Sequence, residues 1–228
     1  MNLSMAMSAI EPVERLRRLD ACTVSDALDK LGLQGAVSGI HRLSTDRKIA
    51  GKVLTVKLGF SQGPNTAKRQ LSTAAVEAAA PGDIIVIEQR SGVDAAAWGG
   101  VLSRGAKMRS IAGVICEGPA RDIDESRQLD FPVFARDHTC RTSRGRIVEL
   151  GTNVPITVGD VPVSPGDYAV ADASAVVFIA QGEIARVLEM AESIARREAA
   201  MILALEAGQR ISEVMGANYE HMLEPNAR

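Results

Sequence analysis

Apolar and polar positions follow two different periods along the chain, and the switches between them mark its elements. From Thr23 the period is helical. Val24, Leu28 and Leu31 share one face, the Thr23 hydroxyl can cap the first turn with Asp26 three residues on, and Gly32 supplies a stop. The run Lys52-Val-Leu-Thr-Val-Lys-Leu58 reads as a strand with hydrophobic residues on both faces, and Thr66 to Ala80 as an Ala-rich helix. Pro81-Gly-Asp83 precedes the apolar run from Ile84 to Ile87, and Pro165-Gly-Asp167 precedes Tyr168-Ala-Val170. Pro then Gly suits the central positions of a type II turn, so each triplet launches a strand. The two units read as paired elements of one β-rich core.

The centre of the chain alternates strand with helix. Gly99 and Gly100 open a helix that runs to about Ser110, Gly113-Val-Ile-Cys116 is a buried strand, Asp122 to Leu129 a short helix, and Pro132-Val-Phe134 another strand. Such alternation predicts an α/β domain with parallel pairing. From Glu183 to about Gly208 one stripe carries Ile184, Val187, Leu188, Ala191, Ile194 and Ala195. The chain therefore divides into an α/β domain, residues 1–182, and a helical tail, residues 183–228, that packs on that domain or on a neighbouring subunit.

Composition narrows the function classes. Apolar residues make up 46% of the 228 positions and charged residues 24%, which excludes disorder. Aromatics are only 3%, too few for a base-stacking platform, and a net charge of −2 with a pI near 6.0 gives no basic field for phosphate backbones, so no nucleic-acid partner is expected. Cys22, Cys116 and Cys140 are widely spaced with no CxxC pair, which disfavours a zinc knot and suits a reducing cytosol. Met1 to Ile10 has no basic n-region, and Tyr168 to Ala180, broken by Asp172, falls short of the roughly 20 residues that span a bilayer. A soluble, cytoplasmic protein with no membrane partner is the expectation.

Candidate chemistry concentrates between Trp98 and Asp122. Glycines at a helix start allow close approach to backbone N–H groups that attract an anion, which singles out Gly99, Gly100, Val101 and Leu102. Glu117-Gly-Pro-Ala-Arg121-Asp122 follows a strand, where α/β proteins place ligand groups. Arg121 offers a planar fork for a carboxylate or enolate, and Asp122 a hard oxygen for Mg²⁺. Plain structural readings stand beside these: a tight turn for the two glycines, a capping box for Asp122-Ile-Asp-Glu125, and a surface ion pair for Arg121.

The runs Trp98-Gly-Gly-Val-Leu102, Gly113-Val-Ile-Cys-Glu-Gly-Pro-Ala-Arg-Asp122 and Phe131-Pro-Val-Phe-Ala135 resemble the family of the regulator of ribonuclease activity A. That family includes the class II 4-hydroxy-4-methyl-2-oxoglutarate / 4-carboxy-4-hydroxy-2-oxoadipate aldolases. Thr23-Val-Ser-Asp-Ala-Leu28, Gly51-Lys-Val53 and both Pro-Gly-Asp triplets match in order, so the resemblance covers roughly residues 20–210.

The resemblance implies a layered α/β/β/α sandwich assembled as a homotrimer or homohexamer. It implies Mg²⁺- or Mn²⁺-dependent cleavage of a carbon–carbon bond in a small 2-oxo acid, by retro-aldol reaction or oxaloacetate decarboxylation, through a pyruvate enolate. Asp122 would bind the metal, Arg121 the keto or enolate oxygen, and the N–H groups of Val101 and Leu102 the substrate carboxylate. The aldolases carry an Asp at the position of Gly100. Glu117 would then be a substitute carboxylate or a partner standing behind Arg121, His138 a candidate base in an exposed loop, and Glu192 or Glu198 a candidate for the glutamate that a neighbouring subunit supplies. Arg42, Arg47, Arg141, Arg144 and Arg146 either read a further acidic group or form a solvated charged surface. The family's namesake implies the competing function, a non-catalytic regulator that binds a ribonuclease.

Overall fold

Strand β3 (Ile49–Gly59) is buried along most of its length and joins two halves of one sheet. Its first residues, Ile49 to Lys52, pair antiparallel with β10 (Tyr168–Ala171), and from Val53 to Leu58 it pairs parallel with β4 (Ile84–Gln89). The structure, a computed structural model, describes residues 11–60 and 71–216. The sheet runs β1 (Ala36–Val37), β11 (Val176–Ile179), β10, β3, β4, β5 (Gly113–Ala120), β6 (Val133–His138), β2 (His41–Arg42), with β7 (Val148–Thr152) also on β3. Strands β8 (Ile156–Val158) and β9 (Val161–Val163) form a separate antiparallel pair. The neighbours β3, β4, β5 and β6 are parallel, and helices cross between them as parallel pairing requires.

Strand alternation sorts the side chains into three cores. Ile85, Ile87, Val114, Cys116 and Val133 face outward, under α3 (Thr73–Ala78), α4 (Gly100–Met108) and α5 (Ile123–Gln128). On the other half, Tyr168, Val170, Val177 and Ile179 face α1 (Pro12–Leu16), α2 (Ala21–Leu31) and α6 (Ile184–Glu206). The intervening residues, among them Val53, Ile84, Val86, Ile115, Phe134, Ala169 and Phe178, meet inside the curled sheet. The layers are thus α/β/β/α, with a C-terminal helix.

Several local expectations change. Helix α2 starts at Ala21 because Asp20, not Thr23, is the N-cap: its carboxylate accepts from the Thr23 N–H at 2.8 Å and from the Thr23 hydroxyl at 3.0 Å. Gly32 ends that helix at φ 68°. The Ala-rich helix is confined to Thr73–Ala78, and residues 66–70 of that expectation lie outside the described residues, as do 1–10. Both Pro-Gly-Asp turns have Gly at positive φ, 86° at Gly82 and 90° at Gly166. In each the Asp carboxylate accepts a backbone N–H three residues back, from Ala80 or Ser164. The strands they launch, β4 and β10, do not pair with each other but flank β3 on opposite sides.

Within its own chain α6 buries Ile184, Val187, Leu188, Ala191 and Ile194 against α1 and α2. Arg15 of α1 clamps it, donating to Glu192 at 2.7 and 3.0 Å. Farther along, Ile202 and Leu203 are exposed. Among the described residues no helix is long and apolar enough to cross a membrane.

Candidate functional site

Two segments meet at the carboxyl ends of β4 and β5, the side where α/β sheets place ligands. The segment entering α4 is tied to the end of β5 through its backbone. Ala97 N–H donates to Pro119 O at 2.8 Å, Arg121 N–H donates to Trp98 O at 3.0 Å, and Trp98 and Ala120 form a parallel bridge. A cleft of about 350 Å³ opens there, lined by residues 96–102, Arg121, Asp122, Leu71, Thr73 and the loop residues Thr142, Ser143 and Arg144. It gathers Gly99, Gly100, Val101, Leu102, Arg121 and Asp122 in one place.

Asp122 stands in the left-handed region, φ 57° and ψ 40°, and makes no side-chain cap on α5. Asp tolerates that conformation better than most residues, and strain of this kind collects at functional sites. The turn swings the carboxylate across to α4, where Oδ2 accepts from the Gly100 N–H at 2.9 Å and lies 3.3 Å from Arg121 Nε. The capping-box reading of Asp122 and Glu125 therefore fails. Glu125 instead lies against Gly100 and approaches Arg104 at 3.9 Å. The double glycine makes room for both acids: a Cβ on Gly99 would stand 2.9 Å from Asp122 Oδ2, and one on Gly100 would overlap the Glu125 carboxylate. The N–H groups of Val101 and Leu102 have no acceptor within the first turn of α4.

A buried network braces this corner. Trp98 Nε1 donates to Ser103 Oγ at 2.8 Å, Ser103 Oγ and Ser126 Oγ are 2.9 Å apart, and the Trp98 ring stacks on Phe131 at 6.2 Å. The network connects the starts of α4 and α5 through two serines that no periodicity singles out.

Glu117 is corrected. Alternation along β5 puts it on the inner face with Ile115, and there it pairs with Arg136 of β6 at 3.0–3.2 Å, not with Arg121. His138 is 72% exposed and sits beside Asp137, outside the cleft. Glu192 is engaged by Arg15, and Glu198 lies between α6 and α2 near Thr23. Of the five arginines, Arg42 pairs with Asp46, Arg47 with Asp130 and Arg141 with Asp94, while Arg146 donates to Thr142 O. Only Arg144 of these lines the cleft.

The donor set suits a hard cation in one way. Among the described residues no group of three or more His, Cys, Asp or Glu could hold a metal, and the recorded contacts of the Asp122 carboxylate are made by Oδ2, not Oδ1. A single carboxylate beside an open cleft is a donor set compatible with a cation such as Mg²⁺ that keeps most of its waters.

A family model described as RraA-like, Aldolase/RraA, matches residues 21–178. A protein of Halalkalibacterium halodurans named "Putative 4-hydroxy-4-methyl-2-oxoglutarate aldolase" is 35% identical over 188 residues, covering 82% of this chain and 85% of its own length. An uncharacterized protein from Pseudomonas syringae superposes with a TM-score of 0.80 at 26% identity, covering 90% of this chain and 96% of that one. Streptomyces coelicolor RraAS2, described as an unusual member of the RNase ES inhibitor RraA protein family, superposes at 0.74 with 25% identity, covering 82% and 93%.

Proposed function

The chain belongs to the RraA-like family, and on that premise we propose that it is a divalent-metal-dependent lyase that cleaves a carbon–carbon bond of a small 2-oxo acid through a pyruvate-type enolate. Relatives carrying the aldolase name support lyase activity at the level of the family. The observation that carries the reading is the convergence of Arg121, Asp122 and the first turn of α4 on one cleft.

The residues divide the work. The N–H groups of Val101 and Leu102 hold the substrate carboxylate, aided by the positive end of α4. The Arg121 fork holds the 2-oxo oxygen and stabilises the charge that develops on it as the bond breaks. Asp122 would hold Mg²⁺ or Mn²⁺, which when bound adds positive charge near that same oxygen. The Asp122–Gly100 hydrogen bond keeps the carboxylate fixed beside the amides, so the site is organised before substrate arrives. The apolar residues left exposed late in α6, Ile202 and Leu203, support assembly into a homotrimer or homohexamer. Three free thiols suit a cytoplasmic setting.

Oxaloacetate decarboxylation with Mg²⁺ tests the reading, with EDTA as control. Pyruvate release that needs the metal and is lost in both Arg121→Ala and Asp122→Ala supports it; unchanged activity in both variants removes the site assignment. The alternative, a non-catalytic protein that binds a ribonuclease, is favoured by the exposure of Val101 (84%) and Met108 (82%) on α4. No turnover of any 2-oxo acid, with tight binding of a ribonuclease, would establish it.

A further inference from the structure

We propose that a basic hollow at the amino ends of the parallel strands binds a small anion with two linked phosphate groups, in a site separate from the cleft. The hollow, about 510 Å³, is walled by the residues that lead into β3, β4, β5 and β6. Its charged residues are Arg17, Arg47, Lys48, Lys107 and Asp130, four bases to one acid on a chain whose net charge is −2. Ordinary protein surfaces intersperse the two signs. Asp130 Oδ2 is shared, 3.0 Å from Arg47 Nη1 and 3.9 Å from Lys107 Nζ. Arg17 pairs with Glu14, which does not line the hollow, and Lys48 Nζ donates to Leu19 O at 2.5 Å, one use of three donors. One lining carboxylate among four cations leaves an excess of positive charge, and a concave wall focuses it.

The cations fall into two pairs. Arg47, just before β3, and Lys107, in the last turn of α4, converge on Asp130. Arg17 and Lys48 are held instead by the segment around α1, through Glu14 and Leu19 O. Two linked phosphates, carrying about three negative charges near neutral pH, match two pairs of cations better than one anionic group does. The frame is fixed before any ligand arrives. Gly82 N–H donates to Ser110 O and Ala112 N–H to Asp83 O, both at 2.8 Å, and the floor residues Ile49, Ala50 and Ile111 are buried. Arg17 lies over the Pro-Gly-Asp turn, where a Cβ on Gly82 would stand 3.2 Å from its guanidinium. Helices α4 and α5 both start at the cleft and end at this hollow, so the two sites stand at opposite ends of the same helices. An anion held here touches neither Arg121 nor Asp122, and the inference does not depend on the lyase reading.

The test is calorimetric binding of inorganic diphosphate, orthophosphate and ADP to the full chain at low salt, in metal-free buffer so that no metal–diphosphate complex forms. Wild type should bind diphosphate about tenfold more tightly than orthophosphate, and the affinity should fall as salt rises. The double variant Arg47→Gln, Lys107→Gln should weaken diphosphate about tenfold or more, while Asp122→Ala, at the cleft, should leave it within about twofold. Asp130→Asn removes the acid that two of the cations share and should tighten binding several-fold, a gain that a misfolded variant cannot produce. The ADP arm distinguishes the sources of the ligand: ADP as tight as diphosphate or tighter assigns an organic diphosphate, and much weaker ADP assigns the free anion. No binding of either diphosphate probe, binding untouched by the double variant, or an equal loss in Asp122→Ala would overturn the inference.

Discussion

The Asp122 carboxylate accepts a hydrogen bond from the backbone N–H of Gly100, 2.9 Å away, on a helix that is not its own. One acid thereby fixes the spacing between the Arg-Asp corner and the first turn of α4. Asp122→Asn keeps an oxygen that can accept this bond but loses the charge. Metal-dependent pyruvate release is expected to fall roughly 100-fold or more, as when a preorganised electrostatic group is lost, with little change in Tm. Steady-state kinetics and a thermal melt on the same preparation check both halves.

Gly99 is the glycine of that corner that stands directly against the Arg-Asp pair. A Cβ there would stand 2.9 Å from Asp122 Oδ2 and 3.2 Å from Arg121 Nε. Gly99→Ala should displace both side chains and cut activity about tenfold or more, while Tm falls by only a few degrees. Gly35→Ala is the contrast, because its Cβ would overlap the Phe178 carbonyl, a backbone atom that cannot swing aside. That variant should lose stability clearly and is read by denaturant titration.

How far the sequence reaches is visible in these same residues. The start of α4 and the Arg-Asp pair were legible because glycine chemistry and strand ends are local signals. The partner of Asp122 was not, since a left-handed residue redirects its side chain and no spacing rule anticipates that turn. Glu117 lies four residues from Arg121, yet strand alternation sends it to the inner face and to Arg136 on the next strand. Arg144 was one of five undistinguished arginines until the Ala96–Arg141 and Asp94–Arg141 contacts, distant in sequence, put its loop against the cleft.

Trp98 is the single tryptophan of the chain, so its emission reports on this corner alone. Ser103→Ala leaves its buried indole N–H without an acceptor, at a cost of about 1–3 kcal/mol. Ser126→Ala keeps that bond and should cost less. Tryptophan fluorescence during urea unfolding compares the two.

Glu198 gives a pH dependence of defined sign. Burial, then the charges of Asp20 and Asp26, raise its pKa, against a smaller lowering by its hydrogen bond to Thr23. Asp26 is itself raised by burial and by Asp29 and Asp20. A carboxyl with a raised folded-state pKa stabilises the fold fully below its unfolded value, and that contribution is lost as pH rises through the folded value. Glu198→Gln should therefore melt above wild type at neutral pH, with the gap closing toward about pH 4. Thermal melts across that range measure it.

All three cores draw on β3: Leu54, Val56 and Leu58 for one helical layer, Ala50 for the other, Ile49 and Val53 for the interior. Neither half of the sheet can separate without stripping this strand of its partners on that side. Unfolding is therefore expected to be a single cooperative event, with the amide protons of β3 among the slowest to exchange with solvent.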